Sequence, residues 1–283
     1  MNCFRSQAAF VGLVLVGLTL ALPIHAQDGP DLAERFSEGA VEHSGRDYRF
    51  RLLQPKAVAS GGSFPLVVFL HGVGERGSDN LAQLRHLPEL MVTEGFEKKF
   101  PCFLLAPQCP KDDLWTNQDW KGKKILPLPA ESNAALAAVI VQIQRVLKDN
   151  PSIDRNRIYL TGLSMGGCGA WELAMRKPEW FAALAPVCGG ADPQQAKRLL
   201  GMPIWAFHGD QDDVVVTDWS RDMIAALWAL DARPAPRYTE YQGVGHGSWD
   251  RAYQGEELLP WLFKQFQKPA EKIGDRAVDS KGK

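Results

Sequence analysis

The strongest constraint on this chain is a short run, Leu66-Val67-Val68-Phe69-Leu70, apolar at every position and rich in β-branched residues. A strand with one wet face alternates apolar and polar residues. A strand that does not alternate is covered on both faces. Similar runs recur at 102–106, 158–161, 182–187 and 203–207, with a more polar candidate at 237–241. Amphipathic stretches lie between them. Leu136, Val139, Ile140, Ile143, Val146 and Leu147 recur at helical spacing, and Asn150-Pro151 stops that run. Trp219, Met223, Ile224, Leu227 and Leu230 form a second stripe, with Thr217 as its expected N-cap. Residues 252–266 form a third. Residues 48–53 alternate and are expected in an antiparallel edge hairpin. Strand alternating with helix predicts an α/β fold on a mostly parallel sheet. Such sheets build their sites at the carboxyl ends of the strands, so the residues directly after each strand come first.

Composition removes several alternatives. The chain has 283 residues, 45% hydrophobic and 23% charged, which excludes a disordered, collagen-like or multi-span membrane protein. Its formal charge is −1, from 32 basic and 33 acidic residues. No basic excess exists to drive binding to nucleic acid or anionic membranes. Residues 1–26 read as a secretory signal: Arg5 near the start, an apolar core over 8–22, and Ala26 before Gln27. The rival, a permanent anchor, needs a longer apolar run. The mature protein is therefore expected to be secreted or periplasmic, with no stable membrane anchor. Residues 27–267 are expected to form a single domain, and the polar tail 268–283 to fray.

Cys3 leaves with the signal; Cys102, Cys109, Cys168 and Cys188 remain. Cys102 and Cys109 flank a strand, where seven extended residues span about 23 Å against a limit of roughly 7 Å for a bridge. Cys168 with Cys188 stays open as a pair, but four buried free thiols is the preferred reading.

After the run at 158–161 comes Gly162-Leu163-Ser164-Met165-Gly166-Gly167, then a helical pattern. This is G-x-S-x-G in the strand–turn–helix setting that exposes a nucleophilic serine above a sheet. After 203–207 comes His208-Gly209-Asp210-Gln211-Asp212-Asp213, and after 237–241 comes Gly243-Val244-Gly245-His246-Gly247-Ser248-Trp249. A nucleophilic serine needs a base, and the base an orienting acid. Ser164, an aspartate and His246 appear in that chain order. Spacing alone leaves Asp210, Asp212 and Asp213 open. After Leu70 comes His71-Gly72-Val73-Gly74-Glu75-Arg76-Gly77, literally G-x-G-x-x-G. A dinucleotide site needs its helix at once and an acid ending the next strand about 20 residues on. Ser78-Asp79-Asn80 delays the helix, and that acid is missing. An oxyanion loop, with backbone N–H groups facing the serine, is the preferred reading.

Here the chain resembles the α/β-hydrolase superfamily, over roughly residues 48–266. Its motifs, with Ala106-Pro107-Gln108, are similar to those of secreted single-domain esterases labelled carboxylesterase/phospholipase, polyhydroxybutyrate-depolymerase-like or predicted peptidase. The resemblance implies an α/β-hydrolase fold, a mostly parallel twisted sheet of about eight strands with helices on both faces. It implies Asp212, the second aspartate of H-G-D-x-D, as triad acid, although Asp213 stands where many relatives carry proline. It also implies oxyanion donors at the backbone of Val73 and Met165. The expected function is hydrolysis of carboxylic esters, short-chain or carbohydrate-borne, with no cofactor and no metal. A prolyl-oligopeptidase-like serine peptidase, a non-catalytic binding protein on this fold, and a dinucleotide-dependent oxidoreductase are the rivals. Trp115 and Trp120 sit in the long loop 107–130 as candidates for an aromatic platform, with core packing as the alternative. His71 and His208 are expected to brace turns. Glu75 and Arg76 are expected to form a local ion pair, and Trp249 to pack behind His246.

Overall fold

The structure is a computed structural model that describes residues 32–56 and 61–267. The signal segment 1–26 and the tail 268–283 lie outside the described residues.

The chain opens with a hairpin. β1 (Phe36–His43) and β2 (Arg46–Leu53) pair antiparallel in the register His43 to Arg46. Ser44 and Gly45 form the turn with φ of 51° and 76°, the two positive values that a type I′ hairpin needs to match strand twist. β1 was not legible in the sequence, because only Phe36 and Val41 of its eight residues are buried. β3 (Phe64–Leu70), α1 (Leu87–Met91), α2 (Glu94–Lys99), β4 (Phe103–Pro107), α3 (Ala134–Asp149), β5 (Ile153–Leu163) and α4 (Met165–Arg176) follow. Then come β6 (Ala183–Val187), β7 (Trp205–Gly209), α5 (Asp218–Ala229), β8 (Arg237–Tyr241), α6 (Trp249–Gln254) and α7 (Leu258–Leu262). The eight strands form one sheet in the order β1-β2-β4-β3-β5-β6-β7-β8. β2 meets β4 antiparallel, and every pairing beyond β4 is parallel.

The continuous apolar runs do what two-sided burial requires. β3, β4, β6 and β7 are buried at every position. In β3, Leu66, Val68 and Leu70 enter one core with α3, α4 and α5, while Val67 and Phe69 enter a second core with α1, α6 and α7. The period-2 pleat thus divides one apolar run between two helical layers.

Two helical expectations are corrected. The stripe at 252–266 is broken into α6 and α7 around Gly255. Pro260 sits in the first turn of α7, where it lacks no needed N–H, but it blocks continuous helix through the residues before it. Thr217 does occupy the N-cap position of α5, yet its hydroxyl donates to Gly209 O at 2.8 Å instead of capping. The bond ties α5 to the end of β7. Cys102, Cys109, Cys168 and Cys188 are all buried and free. Among the described residues, no helix is long and apolar enough to cross a membrane.

Candidate active site

Three strand ends converge at one edge of the sheet. At the end of β5 the chain turns sharply into α4 through Ser164, whose φ of 55° lies in the left-handed region that non-glycine residues avoid. Neighbours hold the turn. Ser164 N–H donates to Val187 O at 3.0 Å, and Cys168 N–H donates to Ser164 O at 3.1 Å. Two glycines permit the close approach. A Cβ at Gly162 would stand 2.3 Å from Gly166 O, and one at Gly166 would stand 1.9 Å from Leu70 O.

His246 follows β8 on a loop. Its Nε2 lies 2.9 Å from Ser164 Oγ, and its Nδ1 lies 2.8 Å from Asp212 Oδ2. A carboxylate only accepts, so Nδ1 carries the proton and Nε2 accepts from the serine hydroxyl. The ring packs edge-on against Trp249, 5.1 Å between centroids, as expected from the sequence.

Asp212 follows β7 and its side chain is wholly buried. Oδ1 accepts from the backbone N–H of Val214 at 3.0 Å and of Val215 at 2.9 Å. Oδ2 faces both His246 Nδ1 and, at 3.1 Å, His208 Nε2. Burial alone would push this carboxyl up. The hydrogen bonds from His208 and His246, the electrostatic pull of the His246 ring and the Val215 N–H outweigh it and hold Asp212 well below the usual carboxylate range. The two rival aspartates point elsewhere. Asp210 Oδ1 accepts from Gly243 N–H at 2.7 Å and so ties the two loops together. Asp213 is exposed, and its carbonyl receives Lys123 Nζ at 2.6 Å.

The loop after β3 lies against the serine. A Cβ at Gly72 would come within 3.6 Å of Ser164 Cβ. Val73 opens a 3₁₀ turn, Val73–Glu75, with its side chain half exposed, and Met165 is the first residue of α4, where backbone N–H groups lack helical partners. The glycine run therefore leads into a three-residue turn and not the long helix that a dinucleotide pyrophosphate needs. His71 braces this loop as expected. Cys109 N–H donates to its Nε2 at 3.0 Å, and its Nδ1 bonds Gly72 O at 2.6 Å.

Other expectations are corrected. Trp115 is core: it is 1% exposed and donates its indole N–H to His71 O at 3.0 Å. The long loop dips inward because Ala135 N–H and Asn133 Nδ2 hold Asp113 and Leu114. Trp120 is half-buried and packs against Trp219, 5.4 Å between centroids, beside Cys168 and Val215. Glu75 turns to His86, 3.7 Å away, and not to Arg76, which reaches Val73 O and Asp113 O. His208, read from the sequence as a turn brace, touches Asp212 directly. A polar side chain ending an apolar strand must find a buried partner, and that signal was present in the sequence.

Among the described residues, Cys188, Asp212 and His246 bring donor atoms within 4.8 Å of one another. Burial pushes the Cys188 thiol far above its ordinary range, so its sulfur keeps its proton. Asp212 already faces four N–H donors. The trio suits hydrogen bonding better than a cation.

Residues 115–257, about half the chain, match the Dienelactone hydrolase family. The chain belongs to that family. A thermostable esterase of known structure shares 38% identity with this family member and superposes with a TM-score of 0.75 over 83% of the chain. The family member spans 64% of that esterase. Lysophospholipase-like protein 1 of Mus musculus is 25% identical over 190 residues, covering 62% of the chain and 79% of the mouse protein. A bifunctional acetylxylan esterase/xylanase of Neocallimastix patriciarum is 28% identical over 157 residues, covering 53% of the chain and 20% of that protein. Fold and family place this chain in the α/β-hydrolase superfamily, and the relatives named here include esterases.

Proposed function

We propose that this protein is an exported serine esterase that cleaves short-chain or carbohydrate-borne acyl esters through Ser164, His246 and Asp212. The observation that carries the reading is one unbroken line of hydrogen bonds, Ser164 Oγ to His246 Nε2 and His246 Nδ1 to Asp212 Oδ2. In this reading Ser164 Oγ attacks the ester carbonyl while His246 Nε2 takes its proton. Asp212 holds the imidazole orientation and offsets its positive charge. The N–H groups of Val73 and Met165 receive the oxyanion; in other hydrolases one such donor is worth about 10²–10³ in rate. His246 then protonates the leaving alcohol. Water, activated by the same nitrogen, attacks the acyl-serine and releases the acid.

Substrate class is argued from what borders the site. Val73 and Val214, on the loops that carry the oxyanion turn and Asp212, are half-exposed apolar side chains, and the Trp120–Trp219 pair packs with Val215, whose N–H meets Asp212. Between β6 and β7 the chain forms one short 3₁₀ helix, Pro193–Leu199, and no inserted lid among the described residues. An open rim admits a polymer-borne ester and offers little apolar cover for a long acyl chain. The relative that is an acetylxylan esterase/xylanase supports the carbohydrate reading.

The test is hydrolysis of p-nitrophenyl acetate and of an acetylated xylo-oligosaccharide by the native protein and by Ser164→Ala. The expected result is a loss of kcat of at least about 10³-fold with unchanged melting. A loss below tenfold would remove Ser164 as the nucleophile.

A further inference from the structure

We infer that His208 carries both ring protons and stands beneath the proposed triad as a buried imidazolium, sharing Asp212 with His246. The hydrogen-bond inventory requires it. His208 is wholly buried, so no water completes its bonding. On one side Nε2 lies 2.8 Å from Val215 O and 3.1 Å from Asp212 Oδ2. A carbonyl and an ionised carboxylate only accept, so Nε2 donates. On the other side Nδ1 lies 2.8 Å from Ser220 Oγ. That hydroxyl has one proton, and it points at Gly189 O, 2.7 Å away. Ser220 therefore accepts from Nδ1, and both ring nitrogens donate.

The neutral alternative turns the Ser220 proton toward Nδ1. Ser220 Oγ and Gly189 O would then face each other at 2.7 Å with no proton between them, a separation typical of a made O–H···O bond. Gly189 O would keep only the longer bond from Trp171 Nε1, at 3.2 Å. A buried cation needs a buried anion, and Asp212 supplies it with its side chain equally enclosed. The other charged or titratable groups on the elements packed around the ring do not replace that role. Glu240 on β8, opposite His208 in register, is bound to Arg221 of α5, and the Cys188 thiol after β6 is protonated.

The consequence rests on the proposed triad. His246 and His208 meet the same oxygen of Asp212, so their nitrogens lie within about 6 Å. A permanent cation there opposes a second positive charge on His246. His208 is thus a positioning residue that sets the acid limb of activity.

Nitrogen-15 spectra of histidine-labelled native protein, with His208→Gln to assign the signal, test the protonation state. The expected result is two ring N–H protons on His208 in the native protein. One proton would overturn the inference. In His208→Gln, which keeps N–H donors without charge, the acid limb of kcat/KM should move up by about one to two pH units. A purely structural loss would lower kcat/KM at every pH and leave the limb in place, and that result would overturn the electrostatic role. The spectrum is independent of catalysis. An active Ser164→Ala would sink the proposed triad, while two protons on His208 would still support the imidazolium.

Discussion

Acid is expected to destabilise this protein through His71, and the size of the effect follows from its surroundings. The ring is wholly buried. Cys109 N–H donates to Nε2, so Nδ1 carries the proton and donates to Gly72 O. Both nitrogens are satisfied in the neutral form. Burial lowers the pKa from 6.5 to about 4, against the opposing pull of the Gly72 bond and the Glu75 charge. The unfolded chain takes up a proton as pH falls through about 6.5, while the native ring waits until about 4. Between those values the unfolded state binds more protons, so stability falls with pH. At about 1.4 kcal/mol per pH unit the loss reaches about 3 kcal/mol near pH 4. That is a large share of the roughly 5–15 kcal/mol that holds a typical domain together. The assay is urea denaturation of the native protein and His71→Gln at several pH values. Glutamine offers one acceptor and one donor but does not titrate. The stability difference between the two proteins should shrink by about 3 kcal/mol from pH 7 to 4. A difference constant to within about 0.5 kcal/mol would refute the reasoning, because carboxylates common to both proteins would then account for the whole pH dependence.

Two further predictions follow from the same geometry. Asp212→Asn should lower kcat by about 10³–10⁴, as loss of the orienting carboxylate does in other triads, whereas Asp210→Asn should cost less than tenfold because its amide oxygen can still accept from Gly243. A larger loss at Asp210 would reassign the acid. The exported protein should begin at Gln27, read by intact mass from a host with a secretion pathway; a mass that includes Met1 would end the signal-peptide reading.

Much of the fold was legible because two-sided burial leaves a mark that single residues cannot hide. Leu66 to Leu70 had to be an inner strand, and it is buried at every position. The nucleophile turn was legible for a different reason: Gly162 and Gly166 sit where a side chain would strike backbone, so the motif records a steric limit. Asp212 was separated from Asp210 and Asp213 by resemblance alone, since the choice depends on which carboxylate the β8 loop meets on its return. Platform and core packing stayed open for Trp115 because its neighbours are Pro, Lys and Asp, and the structure gives the core. Composition reports a loop's average exposure, not the one side chain that anchors it. The weight of His208 was not legible because a strand-ending histidine looks like packing until its three oxygen neighbours are named.

The sheet assembles the site in two halves, and their seam explains why the histidine beneath it matters. Ser164 belongs to the β5–β6 half. Its left-handed backbone stores roughly 1–3 kcal/mol, and the strain persists because Gly166 is pressed against Leu70 O and Gly167 against Val187 O. Asp212 and His246 belong to the β7–β8 half, where Gln211 N–H to Val244 O and Gly243 N–H to Asp210 knit the two loops. Between the halves, β6 and β7 share the paired residues Val187 and Phe207 and an isolated bridge from Leu184 to Ile204. That contact is short for a junction that must hold Ser164 Oγ 2.9 Å from His246. The line Asp212–His208–Ser220–Gly189 crosses the same seam, from the acid loop through β7 and α5 to the chain leaving β6. It fastens the halves with buried, charge-assisted bonds that resist stretching more than neutral ones do. The group that meets the charge at Asp212 is therefore also one of the ties, beside the backbone bond from Cys188 N–H to Phe207 O, between the acid–base pair and the nucleophile's half.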